Sequence, residues 1–540
     1  MKDQNYVFSY DIGTTGNKTC LYRIVPRIEL VDSCVAEYPL HILPDGGAEQ
    51  SVDDWWDAVC KTTSTILSRV KLDRSAIRGI AFCCQMQGSI LVDSTGQPLR
   101  NPMIWMDIRA TRQIEEFLHT GLIRISGYNA LITLKSLRIT GGLAGTAKDP
   151  LWKYHWVREN EPRIFRKVHK WLDVKDYLLL RCTGHYGMTQ DSAHLTFLYD
   201  TRPGHLGWHK GLCHTFRVDM RHLPPVVGST DIVGGLTKEA ADALGLSEGT
   251  PVFGGGGDLP LITIGSGCVE EYDTHIYIGT SGWLAANVER RILDIGNFMA
   301  SIMGAIPGCY NYVGEQETSG VCLQWIRDLL ALDRVATSAQ EIKSATERKE
   351  PRDPYEAVNK AAGETPPGAG NIIFAPWLQG NRSPREDPYA RGMFFNLSLK
   401  ADAGMLIRAV MEGVAYHNRW MLQAFEKKMP RQDSIRLVGG GAKSEVWCQI
   451  MADVTGRTVE TIENPQNAGA FGAAVVSGVG LGLLPSFHQA KSLVPVKRRY
   501  TPRSEFKEIY DQNFKAFQEL YSNNKRLFRL LNQPGSTVAV

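Results

Sequence analysis

One short unit, a strand, a turn of small residues and a second strand, occurs twice in this chain. The first copy is YVFSYDIGTTGNKTCLYRIV at residues 6–25 and the second is THIYIGTSGWLAANV at residues 274–288. Each apolar run is of strand length, and the Gly-Thr or Gly-Thr-Ser cluster between two such runs predicts a β-hairpin. A repeat of this kind predicts two related halves. The length supports that expectation, because 540 residues are more than one hydrophobic core usually serves. Apolar strands alternate with amphipathic helices between the copies, as in IRGIAFCC followed by RATRQIEEFL, so the layers are expected to be mixed α/β. The stretch EGTPVFGGGGDLP is the expected boundary, dividing the chain into residues 1–257 and 258–540. PRDPYEAVNKAAGETPPGAG reads as a surface connection, and SEFKEIYDQNFKAFQELYSNNKRLFRLL as a long amphipathic helix.

Lys and Arg total 60 against 57 acidic residues, too even a balance to attract nucleic acid or anionic lipid. A small molecule is the better partner, and a homodimer is open. The start MKDQNYVFSYDIG has no secretory leader, and no apolar run approaches a membrane span, so a cytoplasmic protein is expected. Eleven cysteines without a C-x-x-C pair read as reduced, mostly buried small side chains. The histidines show no metal-ligand spacing and read as surface or packing residues.

In the first turn Gly13 and Gly16 permit tight backbone geometry, Thr14 and Thr15 offer donors, and Asp11 is a hard oxygen ligand. Such a set suits a phosphate and its Mg²⁺, although an ordinary hairpin turn has the same composition. Gly279, Thr280, Ser281 and Gly282 repeat that chemistry, so two hairpins could grip one polyphosphate from both sides. Gly439, Gly440, Gly441 and Ala442 follow a strand and precede a helix, where a base or ribose could approach, or where the chain is simply tightly packed. Asp258 is a single carboxylate after four glycines. It could take a proton from a hydroxyl in phosphoryl transfer, or cap a helix. Gln85, Met86, Gln87 and Gly88, with Trp105, Asp107 and Arg109, could bind a polyol; the alternative for Asp107 and Arg109 is a structural pair.

Taken in order, DIGTTGNK, GGAEQSVDDWW, QMQG, WMDIRA, DPLWKYHWVREN, KDYLLLRCTG, QDSA, GTPVFGGGGD, GTSG, FAPWLQGNRSP and GGGAKSEVW resemble the FGGY carbohydrate kinases, most closely their xylulose kinase branch, nearly end to end. The resemblance implies two ribonuclease-H-like domains of the actin, Hsp70 and hexokinase type around a central cleft, with sugar held mainly by the first and ATP by the second. It implies Asp258 as catalytic base, Asp11 and Asp258 at the metal, and Gly13, Thr14, Thr15, Lys18, Gly279, Thr280, Ser281 and Gly282 at the phosphates. Gly320 is expected to add nucleotide contacts, Gly440, Gly441, Ala442 and Glu445 to line the adenosine, and Met86, Gln87, Asp107 and Arg138 to reach the sugar. Gln87 stands where xylulose kinases of the family carry His, Leu259 where they carry Asn or Ala, and Asn396 where the family carries Gly. An actin-like ATPase or a non-catalytic sugar-binding protein of the same fold are the rival readings.

Overall fold

The computed structural model describes residues 5–24, 27–125, 127–330 and 355–533. The first half is built on β1 (Asn5–Ile12), β2 (Gly16–Ile24), β3 (Ile28–Glu37), β4 (Ile77–Cys84), β5 (Ile232–Gly235), β6 (Pro251–Phe253) and β7 (Gly256–Gly257). They form one sheet in the order β5-β6-β4-β1-β2-β3, with β7 also paired to β4. β2 runs antiparallel to both β1 and β3, whereas β4 runs parallel to β1 and to β6.

The second sheet contains β8 (Thr274–Ile278), β9 (Gly282–Val288), β10 (Leu293–Asp294), β11 (Met299–Met303), β12 (Tyr310–Gln316), β13 (Ser434–Val438), β14 (Thr458–Ile462) and β15 (Val496–Tyr500). Its order is β10-β11-β12-β9-β8-β13-β14-β15. Again three antiparallel strands, β12, β9 and β8, are followed by two parallel ones, β13 and β14. The repeat seen in the hairpins therefore extends to a five-strand pattern. It makes the loop after β4, Gln85 to Gly88, the topological counterpart of the loop after β13, Gly439 to Ala442.

Of the helices, those that position the site are α1 (Val52–Arg69), α2 (Ala130–Thr140), α3 (Pro150–Asn160), α4 (Val174–Thr183), α5 (Gln190–Leu195), α6 (Asp258–Gly265), α7 (Gly320–Leu329), α8 (Ala403–Phe425), α9 (Glu445–Thr455), α10 (Ala468–Gly480) and α11 (Lys507–Asn532). Helix α1 covers one face of the first sheet and α10 the other. With both faces covered, β1, β2 and β4 are buried along most of their length, polar residues such as Ser9, Asn17 and Thr19 included. Helices α6 and α10 cross with backbones in contact: a Cβ on Gly265 would stand 1.8 Å from the Ala468 carbonyl oxygen, and one on Gly472 2.0 Å from that of Leu261. A helix late in the chain is thus packed on the first sheet, and the two halves interlock.

The expected surface connection is only partly one. Residues 351–354 lie outside the described residues, but Glu356–Glu364 is a helix that buries Val358 and Ala362. The Pro and Gly residues bound this helix on its carboxyl side, and E-A-V-N-K-A-A inside it is a good helix-forming run that the overall composition concealed. The long helix α11 forms as expected. All eleven cysteines are free, eight of them buried or nearly so in the cores. Among the described residues no helix is long and apolar enough to cross a membrane.

Candidate active site

Strand alternation decides where Asp11 points. Phe8, Tyr10 and Ile12 pack with Trp55 and Val59 of α1, whereas Val7 packs with Cys83 and Ala470 on the α10 side. Asp11 shares the face of Val7. The start of α10 rests against it, since a Cβ on Gly469 would lie 3.0 Å from Asp11 Oδ2. Burial pushes the Asp11 carboxyl up, with the Lys18 ammonium pulling the other way. Lys18, paired with Asp11 across the hairpin, donates to the Gln466 carbonyl just ahead of α10, so at least one of its N–H groups holds structure.

The first turn is held from below. Gly13 N donates to Gly16 O at 3.0 Å, Tyr38 Oη and Gln85 Nε2 donate to Gly13 O, Gln50 Nε2 donates to Thr14 O at 2.6 Å, and Trp105 Nε1 donates to Thr14 Oγ1 at 2.9 Å. In the second turn Gly279 N donates to Ser281 O at 3.0 Å. At the tips, Thr15 and Thr280 are exposed. Gly320 opens α7 directly on this turn: its N–H donates to Gly279 O at 2.7 Å, and a Cβ there would approach that oxygen to 2.4 Å. Burial raises the hydroxyl pKa of Tyr277, beside the second turn, and the nearby charges of Asp11 and Asp258 add to the rise. The two turns and both carboxylates therefore share one region.

Asp258 is half-buried at the first position of α6, with Leu259 N donating to its Oδ1 at 2.9 Å. Burial raises its carboxyl to about 7, and the neighbouring charges of Asp11, Glu315 and Asp173 add to the rise. The four glycines before it are required by packing. A Cβ on Gly254 would stand 2.3 Å from Gly228 O, on Gly255 2.3 Å from Phe82 O, and on Gly257 2.3 Å from Met86 Sδ. They admit neighbouring protein, not ligand. Leu259 likewise packs inward with Met86, Leu195, Ala285 and Val313.

The residues expected around the sugar separate into two groups. Gln87 is half-exposed with φ of 64°, and its Nε2 donates to Asp149 Oδ1 at 3.3 Å. Its neighbour Gly88 is fixed by Asp173, whose Oδ1 accepts from Gly88 N at 2.7 Å. Asp107 and Arg109 are the structural pair: Asp107 is fully buried, its oxygens accept from Ala48 N and from the Arg109 guanidinium, and Arg109 also reaches Glu49 at 2.6 Å. Gln85 is buried too, with its amide spent on Gly13 O and on Gln50 Oε1 at 2.7 Å. Met86 is buried in the cluster under Gly257. Arg138 is exposed on α2 and contributes its carbonyl to Arg291. Within this set the polar groups of Asp107, Arg109 and Gln85 are spent inside the protein, whereas Gln87 is half-exposed and the Trp105 ring is part-buried against the first core.

Around the adenosine candidates the same division appears. A Cβ on Gly441 would clash with Ile278 Cγ2 at 2.4 Å, whereas one on Gly440 meets nothing nearer than 4.0 Å. Ala442 is buried, and Glu445 is exposed and paired with Arg498.

Several polar residues of the cleft were not anticipated. Lys153 is fully buried on α3, and burial pulls its ammonium down to about 7 against the charges of Asp107, Asp149 and Asp173. Asp149, at the start of the same helix, is raised to about 6 by burial. From the second half come Glu315, Glu317, Arg382 and Glu386; Arg382 Nε lies 2.6 Å from Glu315, and Glu386 is raised to about 7 by burial. A signal existed, since a lysine four residues past an acid in the apolar stretch LWKYHWV has no solvated face to occupy.

Residues 6–265 match the FGGY family of carbohydrate kinases, N-terminal domain, and residues 275–481 match its C-terminal domain. The chain belongs to the FGGY family of carbohydrate kinases. Among curated relatives, this FGGY kinase is 27% identical to the xylulose kinase of Staphylococcus epidermidis over 96% of this chain and 97% of that one. It is 26% identical to the gluconokinase of Bacillus subtilis over 97% and 96%. The ligand-bound xylulose kinase of Lactobacillus acidophilus has the same fold, with a TM-score of 0.84 at 23% identity over 98% of this chain and all of that one. An actin-like filament protein is thereby set aside: the chain is a sugar kinase with the two-domain fold of its family.

Proposed function

We propose that this kinase transfers the γ-phosphoryl group of ATP to a hydroxyl of a ketopentose such as xylulose, with residues 1–257 holding mainly the sugar and residues 258–540 mainly the nucleotide. The observation that carries the reading is the place of Asp258, a half-buried carboxyl raised to about 7 beside Asp11, directly after Gly257, which packs on Met86 of the Gln87 loop. Its carboxylate takes the hydroxyl proton as the oxygen bonds to the γ-phosphorus and ADP leaves. Thr14, Thr15, Thr280 and Ser281 supply donors to the phosphates, and Gly440 leaves room for the nucleoside.

Among the described residues no group of three or more His, Cys, Asp or Glu could hold a metal by itself. Asp11 nonetheless lies near enough for its charge to help raise Asp258, and two such carboxylates are a donor set that fits Mg²⁺ carried in on phosphates and water. When bound there, Mg²⁺ supplies charge neutralisation for the polyphosphate. Around the acceptor, Asp149, Glu315, Glu317 and Glu386 stand against Arg382, Lys148 and Lys153, so there is no surplus of cations for a sugar acid such as gluconate, which favours a neutral ketose.

ADP release with MgATP across ketoses, polyols and sugar acids tests the reading, with Asp258→Ala beside the wild type. Strong turnover on one ketose, lost in the variant, is expected. Turnover on gluconate alone would replace the substrate, and no response to any sugar would remove the function.

A further inference from the structure

One set of contacts crosses the cleft. Lys148, in the loop before α3, places its Nζ 2.8 Å from Glu317 Oε2, which follows β12 in the second half. The pair is mostly shielded, with side-chain exposures of 22% and 17%. The same ammonium stands 5.5 Å from the centroid of the Trp105 ring. Trp105 in turn donates from Nε1 to Thr14 Oγ1 in the first turn. On the other side, Glu317 is two residues from Ser319, whose N–H donates to Thr280 O at 3.1 Å in the second turn. Arg382 backs Glu317 from 3.9 Å.

We propose that Lys148 and Glu317 are positioning residues, a strut that sets the separation of the two Gly-Thr turns so that both meet one polyphosphate. The inference rests on the reading that the turns face the phosphates of ATP. An ion pair at this depth holds a defined length because removing either partner strands the other in a poorly hydrated place. The strut also runs alongside Gln87 through Asp149, the residue next to Lys148, so the acceptor and phosphate sides are set by one loop. Misplacement of reacting groups by about 1 Å costs on the order of a hundredfold in rate, which is the scale on which such a strut acts.

The test is a double-mutant cycle of Lys148→Met and Glu317→Gln, read as kcat and as KM for ketose and for MgATP. Each single change is expected to lower kcat about tenfold with ketose KM nearly unchanged, and the double to fall no further than the worse single. Trp105→Phe keeps an aromatic face for Lys148 but loses the indole N–H bond to Thr14, so its kcat is expected to fall with them, whereas Lys148→Arg retains most of the activity. Additive losses in the double variant overturn the strut. So does a raised ketose KM at unchanged kcat, which makes Lys148 an acceptor ligand, or a lowered Tm at unchanged kcat, which makes the pair structural only. Wild-type protein without sugar-dependent ADP release removes the kinase reading and the strut together, whereas an active wild type isolates the strut.

Discussion

Lys153 Nζ lies 2.8 Å from the carbonyl oxygen of Gln87 and 2.6 Å from that of Ile104. A buried ammonium is costly, and this one is retained where it fixes the backbone of a residue held at positive φ. Lys153→Met strands two carbonyls at about 1–3 kcal/mol each, partly offset by removal of a buried charge. Ketose KM is expected to rise at least roughly tenfold, equivalent to about 1.4 kcal/mol of lost positioning, with ATP KM unchanged. Initial rates against each substrate check this; an unchanged ketose KM would show that Gln87 does not touch the acceptor.

Asp258 gives opposite signs for activity and stability. As a base it must be ionised, so kcat/KM for the ketose is expected to fall about tenfold per pH unit below about 7, the value to which burial first and neighbouring carboxylates next raise the group. In the unfolded chain its pKa returns to the ordinary carboxylate range. The native state therefore holds the extra proton between roughly pH 4 and 7, and stability from this group is lost as pH rises through 7. Asp258→Asn should accordingly melt higher than wild type at pH 8 while losing on the order of a hundredfold or more in kcat. A variant that melts lower there, or that turns over normally, contradicts the assignment.

Acid should act through the buried histidines. His194 of α5 accepts at Nδ1 from Met303 N of β11 at 3.0 Å, a bond between the two halves that exists only while Nδ1 is unprotonated. Burial lowers His194 and His417 to about 4. Both depart downward from the unfolded value, so the unfolded chain binds protons first and stability is lost as pH falls from about 6.5 towards 4. Scanning Tm from pH 7.5 to 4.5 should show this loss, reduced in His194→Asn, whose amide oxygen can accept from Met303 without titrating. An undiminished slope in that variant would place the acid sensitivity elsewhere.

The parts of this site legible in the sequence are those whose chemistry is local. Two Gly-Thr turns between apolar runs, and one acid after four glycines, are visible without knowing what packs where. Asn396, standing where the family carries Gly, also proved local: its φ is 67°, a conformation that Asn tolerates better than other residues with a side chain. What the sequence could not decide is direction across long separations. Asp107 and Arg109 read equally well as ligands or as a pair, and Glu49 and Ala48, far away in the chain, claim them for the core. Lys153 and Asp149 lay in a motif already noticed, but only the fold shows that their helix carries them under Gln87. Arg382 and Glu317 belong to the other half and meet Asp149 and Lys148 across the cleft. The structural assignment of Asp107 is itself testable: Asp107→Asn should lower Tm, because Arg109 keeps Glu49 but loses its second carboxylate partner at about 1–3 kcal/mol, yet leave ketose KM near wild type in the fraction that folds.

Adjacent glycines after β13 separate ligand contact from packing. A Cβ on Gly441 meets Ile278 at 2.4 Å, so Gly441→Ala must move the end of β8, from which the second turn begins. A Cβ on Gly440 meets no protein atom closer than 4.0 Å and no positive φ is required there, so Gly440→Ala has nothing in the protein to disturb. If the nucleoside lies against this loop, Gly440→Ala should melt like wild type and raise ATP KM several-fold, because overfilling a close-fitting site costs on the order of 1–3 kcal/mol. Gly441→Ala should lower Tm and disturb kcat through the turn. Melting curves and ATP titrations of the two variants decide between these roles. A Gly440→Ala enzyme with wild-type ATP KM would move the adenosine off this loop, leaving the glycines there as packing residues alone.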